Sequence, residues 1–538
     1  MRSQKPHQIF AKTPSCPGSR RVIHADLHAR SLLIDGTYKS RLRDLRIRRS
    51  TLGNRSIHLR TIRTPTQPAA IHPANVTADV GSAARSQVGL LCRTAVASAL
   101  PPSRLDRTAQ LLLDAATVVV PTMAPVLCTS HVLAIMLLLL GTSLVLAALV
   151  RRDPSSAARL EHLNQPRPPA LTQLRAVVML QTIFCILAVD FPLFPRRLAK
   201  THTWGYSLMD LGVGAVLMTG ALVRRRRPPL TPGDGRHSIS SGSSHGIDGS
   251  DGSGDNGATT RLGLGRGLGR SIRRVGRRHA PLLAIGVARI VAVKASDYHE
   301  VVSEYGTHWN FFFTLALVAV AADVATPRSA ATTALCGSAL LLLHQAALSW
   351  GGLAEWVEGA PRLGVLSANK EGLASLPGYL AIWWLGDAIG DTFRPRASCA
   401  GWWRALAQLA ATAAALLAAA HLADARVQRA SRRLCNLAYA LWVVSQVLVV
   451  TCLCLASDLT PRWPPQPPPP LLGALNAHLL GLFLLANVLT GVVNMALPTM
   501  DASAPFALGV LGAYMATLCA AAIQLERALR PGTASKVV

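Results

Sequence analysis

The feature that most constrains this chain is a series of apolar runs, each about 20 residues long, that begins near residue 108 and continues almost to the C-terminus. A backbone inside a bilayer must satisfy its own hydrogen bonds, and an α-helix does so within one segment. The sequence therefore predicts an all-α polytopic integral membrane protein with about 12–13 transmembrane helices. The candidate spans are 108–127, 131–150, 172–190, 205–223, 278–293, 308–326, 330–349, 373–390, 403–423, 434–456, 471–496 and 504–524.

The distribution of charge supports a membrane protein and argues against a protein that binds nucleic acid. Only 15% of the residues are charged, whereas soluble proteins usually carry about 25%. Lys and Arg outnumber Asp and Glu by 55 to 27, but residues 1–100 carry +13 of the +28 excess and residues 221–280 carry +8. The rest of the chain is nearly neutral and apolar. We therefore expect a lipid bilayer as a partner and no nucleic acid.

Composition divides the chain into two domains. Residues 1–105 are basic and lack a sustained hydrophobic period, so we expect a disordered extension, which is either an organellar transit peptide or an upstream extension. Residues 106–530 form the multi-span membrane domain. Within this domain, residues 224–277 are typical of a low-complexity loop, and the basic ends of that loop place it in the cytoplasm by the positive-inside rule. Residues 461–470 are typical of a stiff polyproline connector.

No familiar catalytic or metal-binding motif occurs in the sequence. The 10 cysteines lack the spacing of a zinc site or a disulfide framework, and there is no P-loop, GxSxG elbow, HExxH or di-carboxylate motif. The motifs therefore predict no metal site. Because polar residues within or beside a membrane span are costly, they are the place to look for function.

The first polar cluster follows the span that ends near Asp190. Two prolines break the chain there, and the cations Arg196, Arg197 and Lys200 come before the next span. Cations in a loop at the membrane surface are suited to binding phosphate groups. An ordinary interfacial turn, with an Asp–Arg pair and basic anchors, fits the same pattern.

Two further clusters also precede apolar spans. In one, His308 and Asn310 follow other acids and a histidine, and an imidazole that titrates near neutrality suits a general base. In the other, Ser367, Asn369 and Lys370 open a span, where a helix N-terminus favours an anionic group. The alternatives are interfacial anchors in the first case and a simple Lys–Glu pair in the second.

These clusters, in this order, closely resemble one family. The resemblance rests on five blocks: AVDFPLFPRRLAKTHTWGYSLMDLGVGA, EYGTHWNFFFTLA, SANKEGLASLPGYLAI, RRLCNLAYALWV and LLANVLTGVVNM. They are similar to the inositol acyltransferases of GPI-anchor biosynthesis, which are PIG-W in mammals and the wall transfer proteins in fungi. The resemblance covers residues 108–530, whereas residues 1–105 have no recognisable counterpart.

The resemblance implies a multi-pass enzyme of the endoplasmic reticulum membrane. Such an enzyme moves a fatty acyl chain, typically palmitoyl, from acyl-CoA to the inositol of glucosaminyl-phosphatidylinositol, an intermediate in GPI-anchor biosynthesis. Acyl-CoA is then a co-substrate and not a bound cofactor. The reaction needs no metal, because a thioester is already activated toward an alcohol.

For this reaction we predict Asp190 as the base that accepts the proton of the inositol hydroxyl, because burial raises the pKa of a carboxylate. Lys200 is expected to turn back toward Asp190, where it either stabilises the oxyanion or tunes Asp190. Arg196 and Arg197 are expected to bind phosphates of the substrates. His308 is the alternative base. The other residues predicted to bind or orient the substrates or the catalytic groups are Asp210, Asn310, Ser367, Asn369 and Lys370.

From the residues alone, a transporter or lipid scramblase explains the same polar clusters as the lining of a pathway. A subunit that only assembles with others is a third interpretation. The three differ in outcome, since only an enzyme forms a covalent product from acyl-CoA.

Overall fold

A computed structural model of the chain describes residue 93 and residues 107–127, 156–224, 258–295, 302–327, 329–460 and 469–529. All of these lie in one compact unit, residues 70–538. Apart from Arg93, the extension predicted at residues 1–105 lies outside the described residues, and so does the predicted span 131–150.

The described residues form helices and contain no strand, which confirms the prediction of an all-α membrane protein. In chain order the α-helices are α1 (Arg107–Asp114), α2 (Val120–Leu127), α3 (Ser156–Leu163), α4 (Pro169–Ala188), α5 (Leu211–Leu222), α6 (Ala258–Ala295), α7 (Phe311–Ala325), α8 (Ala330–Ser349), α9 (Leu353–Gly359), α10 (Val365–Ala368), α11 (Lys370–Gly390), α12 (Cys399–Arg426), α13 (Leu437–Leu459), α14 (Pro470–Ala477), α15 (Leu479–Ala496) and α16 (Ala504–Leu529).

Six of the described helices are long and apolar enough to cross a membrane: α4, α8, α12, α13, α15 and α16. Three shorter apolar helices cover residues 108–123, α5 and α7. The predicted spans 278–293 and 373–390 fall within α6 and α11. The described part of the chain thus holds fewer full-length spans than the 12–13 expected from apolar runs alone.

Two predicted boundaries differ from the structure for local reasons. The predicted span 471–496 is two helices, α14 and α15, because the backbone leaves the helical conformation at His478 (φ −123°, ψ 29°). In the predicted loop 224–277, residues 258–277 are helical and belong to α6, whereas residues 225–257 lie outside the described residues. Of the predicted polyproline connector, residues 461–468 likewise lie outside them.

The helices α4 and α13 form the centre of the bundle. In each, 67% of the most apolar 18-residue stretch is buried inside the protein, compared with 17–33% of that stretch in α8, α12, α15 and α16. The aromatic side chains of Phe184, Tyr439 and Trp442 fill the space around these two helices. The outer helices therefore present most of their apolar surface to lipid, as expected where no water has to be excluded.

Two apolar helices are shorter than an average membrane span. With 12 and 15 residues, α5 and α7 rise only about 18 and 22 Å at 1.5 Å per residue, whereas the hydrocarbon layer is about 30 Å thick. Their C-terminal ends lie close together, where Arg224 Nη2 is 3.5 Å from Asp323 Oδ1. Asp210 and Asn310 precede their N-terminal ends.

Candidate functional site

A network of four charged side chains joins three of the five sequence blocks close to where α5 and α7 begin. Arg432 Nε donates to Asp210 Oδ1 at 2.9 Å, and Arg432 Nη1 donates to Glu304 Oε1 at 3.3 Å. Lys200 Nζ donates to the same Glu304 oxygen at 2.6 Å. The side chains of Asp210 and Arg432 are 0% and 5% exposed. Two carboxylates and two cations thus balance each other; Asp210 and Arg432 are buried, whereas Glu304 and Lys200 are 20% and 44% exposed.

The charges in this network hold Glu304 in its ionised form. Burial alone would raise the pKa of Glu304, but the nearby charges of Lys200 and Arg432 outweigh it and lower the pKa to about 2. Burial would also lower the pKa of Arg432, and the two carboxylates raise it instead. Each ion therefore depends on its partners, as is usual for buried charges.

Hydrogen bonds to Asp210 fix the start of α5. Its Oδ2 accepts from Ser207 Oγ at 2.8 Å and from Thr201 Oγ1 at 2.9 Å. Its backbone oxygen accepts from the Tyr439 hydroxyl at 2.7 Å. Asp210 therefore binds Arg432 and orders the loop before α5, and it does not orient Lys200 as the sequence had suggested.

A turn at Gly306 brings the loop that carries Glu304 and His308 next to Asn369. Gly306 has φ +119°, and a Cβ there would lie 2.5 Å from the Cα of Asn369, so only glycine fits. Asn369 Oδ1 accepts from the backbone N–H of His308 at 2.8 Å. Asn369 is thus a positioning residue for the loop that carries Glu304 and His308.

Asp190 lies just beyond the end of α4 and keeps one oxygen available. Its Oδ2 accepts from Asn494 Nδ2 of α15 at 2.8 Å, while Oδ1 has no hydrogen-bond partner among the described residues. Burial raises the pKa of this half-buried carboxyl, and the bond from Asn494 and the charges of Arg196 and Lys200 lower it by less. A carboxylate with a raised pKa and a free oxygen is suited to accept a proton.

Lys200 does not pair with Asp190 as predicted. The ammonium reaches Glu304 instead, and burial keeps the pKa of Asp190 raised. Arg196 is exposed, and its Nη1 donates to the Val189 oxygen at 2.6 Å. Arg197 is exposed and has no hydrogen-bond or ion-pair partner in the part of the chain that the structure describes.

His308, the predicted alternative base, and Asn310 make separate local contacts. His308 is exposed, and its Nδ1 lies 3.4 Å from Lys294 Nζ. Asn310 caps α7, since its Oδ1 accepts from Phe312 N at 3.0 Å and its Nδ2 donates to the Gly286 oxygen at 2.9 Å. Asn310 therefore does not orient His308.

The third predicted segment forms a structured turn in front of α11. Ser367 Oγ accepts from the backbone N–H groups of Leu363 and Gly364, each at 3.0 Å. Lys370 Nζ donates to backbone oxygens of α9 and the residue after it, so it does not pair with Glu371. Glu371 instead binds Arg362 and Arg433.

Sequence reasoning missed four charged residues that hold the site together: Glu304, Glu371, Arg432 and Arg433. All four lie inside the blocks quoted above, and the requirement that buried charges be paired is the signal that could have found them. Among the described residues, no group of three or more His, Cys, Asp or Glu side chains could hold a metal ion. The site thus combines the Asp190 carboxylate, which has one unengaged oxygen, with the neighbouring cations Arg196 and Lys200.

Comparison with known proteins gives one consistent result. The sequence model of the GWT1 family matches residues 77–525. A phosphatidylinositol-glycan biosynthesis class W protein from Dictyostelium discoideum is 32% identical over 68% of this chain and 75% of its own length. GPI-anchored wall transfer protein 1 from Aspergillus oryzae is 34% identical over 70% of this chain and 77% of its own length. The protein of the same name from Cryptococcus neoformans var. grubii is 36% identical over 69% of this chain and 64% of its own length.

Proposed function

Because this chain belongs to the GWT1 family and thereby to GPI-anchor biosynthesis, we propose that it transfers a fatty acyl chain of palmitoyl type from acyl-CoA to the inositol of glucosaminyl-phosphatidylinositol. The observation that carries the proposal is Asp190, a half-buried carboxylate with a raised pKa and one unengaged oxygen. It lies beside a network of fixed charges at one face of a membrane bundle.

In the proposed reaction, Asp190 accepts the proton of an inositol hydroxyl as the hydroxyl oxygen attacks the thioester carbonyl carbon. The tetrahedral intermediate carries a negative oxygen, and the ammonium of Lys200 supports that charge. When the C–S bond breaks, the CoA thiolate takes the proton from the Asp190 carboxyl group. The products are the acylated inositol lipid and CoA, and Asp190 returns to its ionised state.

Glu304 has a supporting part in this mechanism. By binding Lys200 at 2.6 Å it holds the ammonium in place and keeps it from forming a tight ion pair with Asp190. Such a pair would lower the pKa of Asp190 and weaken it as a base. His308 stays the alternative base, because its exposed imidazole carries one nitrogen with no partner among the described residues.

The proposal includes a location. We place the protein in the endoplasmic reticulum membrane, with the basic loop 224–277 in the cytoplasm. The helices α5 and α7 both run from the site toward Arg224, where that loop begins. The site then faces the opposite, luminal side.

The test is an assay with the full-length protein in microsomes or detergent, labelled palmitoyl-CoA and a glucosaminyl-phosphatidylinositol analogue. Acylation of the inositol 2-hydroxyl removes the nucleophile that phosphatidylinositol-specific phospholipase C uses, so the labelled product should resist that enzyme. Absence of label from folded protein, together with movement of lipid across sealed vesicles, would favour a transporter or scramblase.

A further inference from the structure

A second charged cluster, around Glu371, lies next to the balanced network. Glu371 is fully buried and binds Arg362 through both carboxylate oxygens; the Arg362 Nη1–Glu371 Oε2 distance is 3.0 Å. Arg433 Nη2 lies 3.4 Å from Glu371 Oε1. One carboxylate therefore serves two guanidinium groups.

This cluster has more positive than negative charge among the described residues. Lys370 is 3% exposed, and its ammonium is satisfied by the backbone oxygens of Trp356 and Ala360, which are uncharged. Arg433 Nε is buried and has no hydrogen-bond partner in the part of the chain that the structure describes. Three cations thus face one carboxylate, and a buried guanidinium N–H is left without an acceptor. Buried cations normally have anionic partners and satisfied donors, so the arrangement suits an added anion.

An exposed apolar segment, residues 363–366, directly follows Arg362 of this cluster. Its side chains Leu363, Val365 and Leu366 are 69–88% exposed, and the exposed acids Glu355 and Glu358 lie outside it, on α9. Trp350 follows the end of α8, one heptad beyond Leu343, which is itself 69% exposed on the outer surface of that helix. Since helical residues seven apart lie on the same face, Trp350 continues the apolar outer surface of α8.

We propose that Arg362 and Arg433 bind the phosphodiester of a phospholipid whose acyl chains lie against the apolar segment. Arginine presents several N–H groups in a fixed plane and is well suited to phosphate oxygens. The apolar segment identifies the phosphate as that of a lipid, since a soluble anion would gain nothing from exposed Leu and Val side chains. This inference rests on the proposed function, because it places the acceptor lipid of that reaction.

The two arginines also leave a cation for the second substrate. Arg362 and Arg433 hold the acceptor lipid, and the exposed Arg197 is left to the phosphates of CoA. Arg433 adjoins Arg432 in the chain, and Arg432 binds Glu304, the partner of Lys200.

The experiment measures binding of radiolabelled dioleoyl phosphatidylinositol to the full-length protein in detergent, with unlabelled competitors. Phosphatidylinositol should displace the label, and dioleoylglycerol, which lacks the phosphate, should not. In Arg362→Gln and Arg433→Gln the dissociation constant should rise about tenfold or more, as expected when a hydrogen bond to a charged group is lost. Arg433→Lys should recover part of the affinity.

A matched control is Arg394→Gln, which removes an arginine from an ion pair with Asp391 at the opposite end of α11. It should bind phosphatidylinositol as the wild type does. Thermal unfolding of each variant shows whether it is folded, and Arg362→Gln is the safer variant because its side chain is 29% exposed. Unchanged lipid affinity in both folded variants would overturn the inference, and so would displacement of the lipid by CoA or inorganic phosphate at equal concentration.

The assay also separates this inference from the proposed function. If lipid binding depends on the two arginines but no acyl transfer occurs, only the reaction is wrong. If acyl transfer occurs and both variants keep the wild-type KM for the glucosaminyl lipid, only the lipid site is wrong.

Discussion

Arg432 and Arg433 are neighbours in the chain, yet they lie in clusters of opposite kinds. Arg432 is 5% exposed and binds two carboxylates, which are themselves bound by Lys200, Ser207 and Thr201. Arg433 is 12% exposed and shares one carboxylate with Arg362, and its Nε has no partner among the described residues. The core of the first cluster, Asp210 and Arg432, is electrically balanced and closed, with Lys200 exposed at its edge, whereas the second cluster has surplus positive charge and an open donor.

This difference indicates which charges hold the fold and which are available to a ligand. A closed network of buried ions is needed to satisfy its own members, so removing one ion leaves another uncompensated. Groups with an unused hydrogen-bonding atom, such as Arg433 and Asp190, can be changed at a smaller cost in stability. Their loss should appear in binding or turnover instead.

The largest expected effect is on stability when the closed network is broken. Arg432→Gln leaves Asp210 and Glu304 short of a buried counter-charge and should lower the free energy of unfolding by about 3–5 kcal/mol. Denaturant unfolding in detergent measures this change. The exposed pair Arg394–Asp391 provides the comparison, and Arg394→Gln should cost less than about 1 kcal/mol. Equal losses in the two variants would remove the distinction between closed and open clusters.

The next effect is on the acid stability of the same network. The pKa of Glu304 is lowered from 4.5 to about 2, so its stabilising contribution is present above pH 4.5 and is lost as the pH falls toward 2. Wild type should lose up to about 3 kcal/mol more than Glu304→Gln over this interval. Thermal unfolding between pH 5 and pH 2 measures the difference, and parallel curves would show that Glu304 is not held by its cations.

Replacing Asp190, which has one unengaged oxygen, should reduce activity and leave stability nearly unchanged. Asp190→Asn should reduce acyl transfer roughly 100-fold or more, because the general base is lost, while the unfolding temperature stays close to that of the wild type. The matched variant Asp210→Asn should instead unfold at a lower temperature, since Asp210 is the fully buried partner of Arg432. Retention of more than about a tenth of the turnover in folded Asp190→Asn would favour His308 as the base.

The smallest effect concerns the hydrogen bond that tunes Asp190. Asn494 Nδ2 stabilises the ionised form and lowers the pKa of Asp190, so Asn494→Ala should raise that pKa. The acidic limb of the kcat/KM profile should move to higher pH by about 0.7 units, which corresponds to a bond of about 1 kcal/mol. A profile that does not move would mean that Asp190 does not govern this limb.

Much of the fold followed from apolar runs, because a helix in a bilayer must be long and apolar regardless of its neighbours. The exceptions lie where tertiary contacts decide. The predicted span 205–223 is helical only from Leu211, since Asp210 and Ser207 use their side chains to hold the preceding loop. The break at His478 in the predicted span 471–496 likewise has no proline or glycine to announce it.

The site was predictable in its residue types and less so in its pairings. Asp190 has the burial and raised pKa that its position suggested. The partner of Lys200 is Glu304, 104 residues away, and sequence order carries no information on which of several carboxylates comes within reach. Glu371 and Arg433 are another example, because the neighbouring Lys370 was the more obvious partner.

The short helices α5 and α7 have a further consequence for the surrounding lipid. Spans of about 18 and 22 Å are too short for an average bilayer, and such hydrophobic mismatch is relieved by local thinning or by protein that fills the gap. Here the charged network of Lys200, Asp210, Glu304 and Arg432 lies at the N-terminal end of α5. A protein with such short apolar helices should fit a thin bilayer, such as the endoplasmic reticulum bilayer of about 27 Å proposed above as its location, better than a thicker sterol-rich membrane.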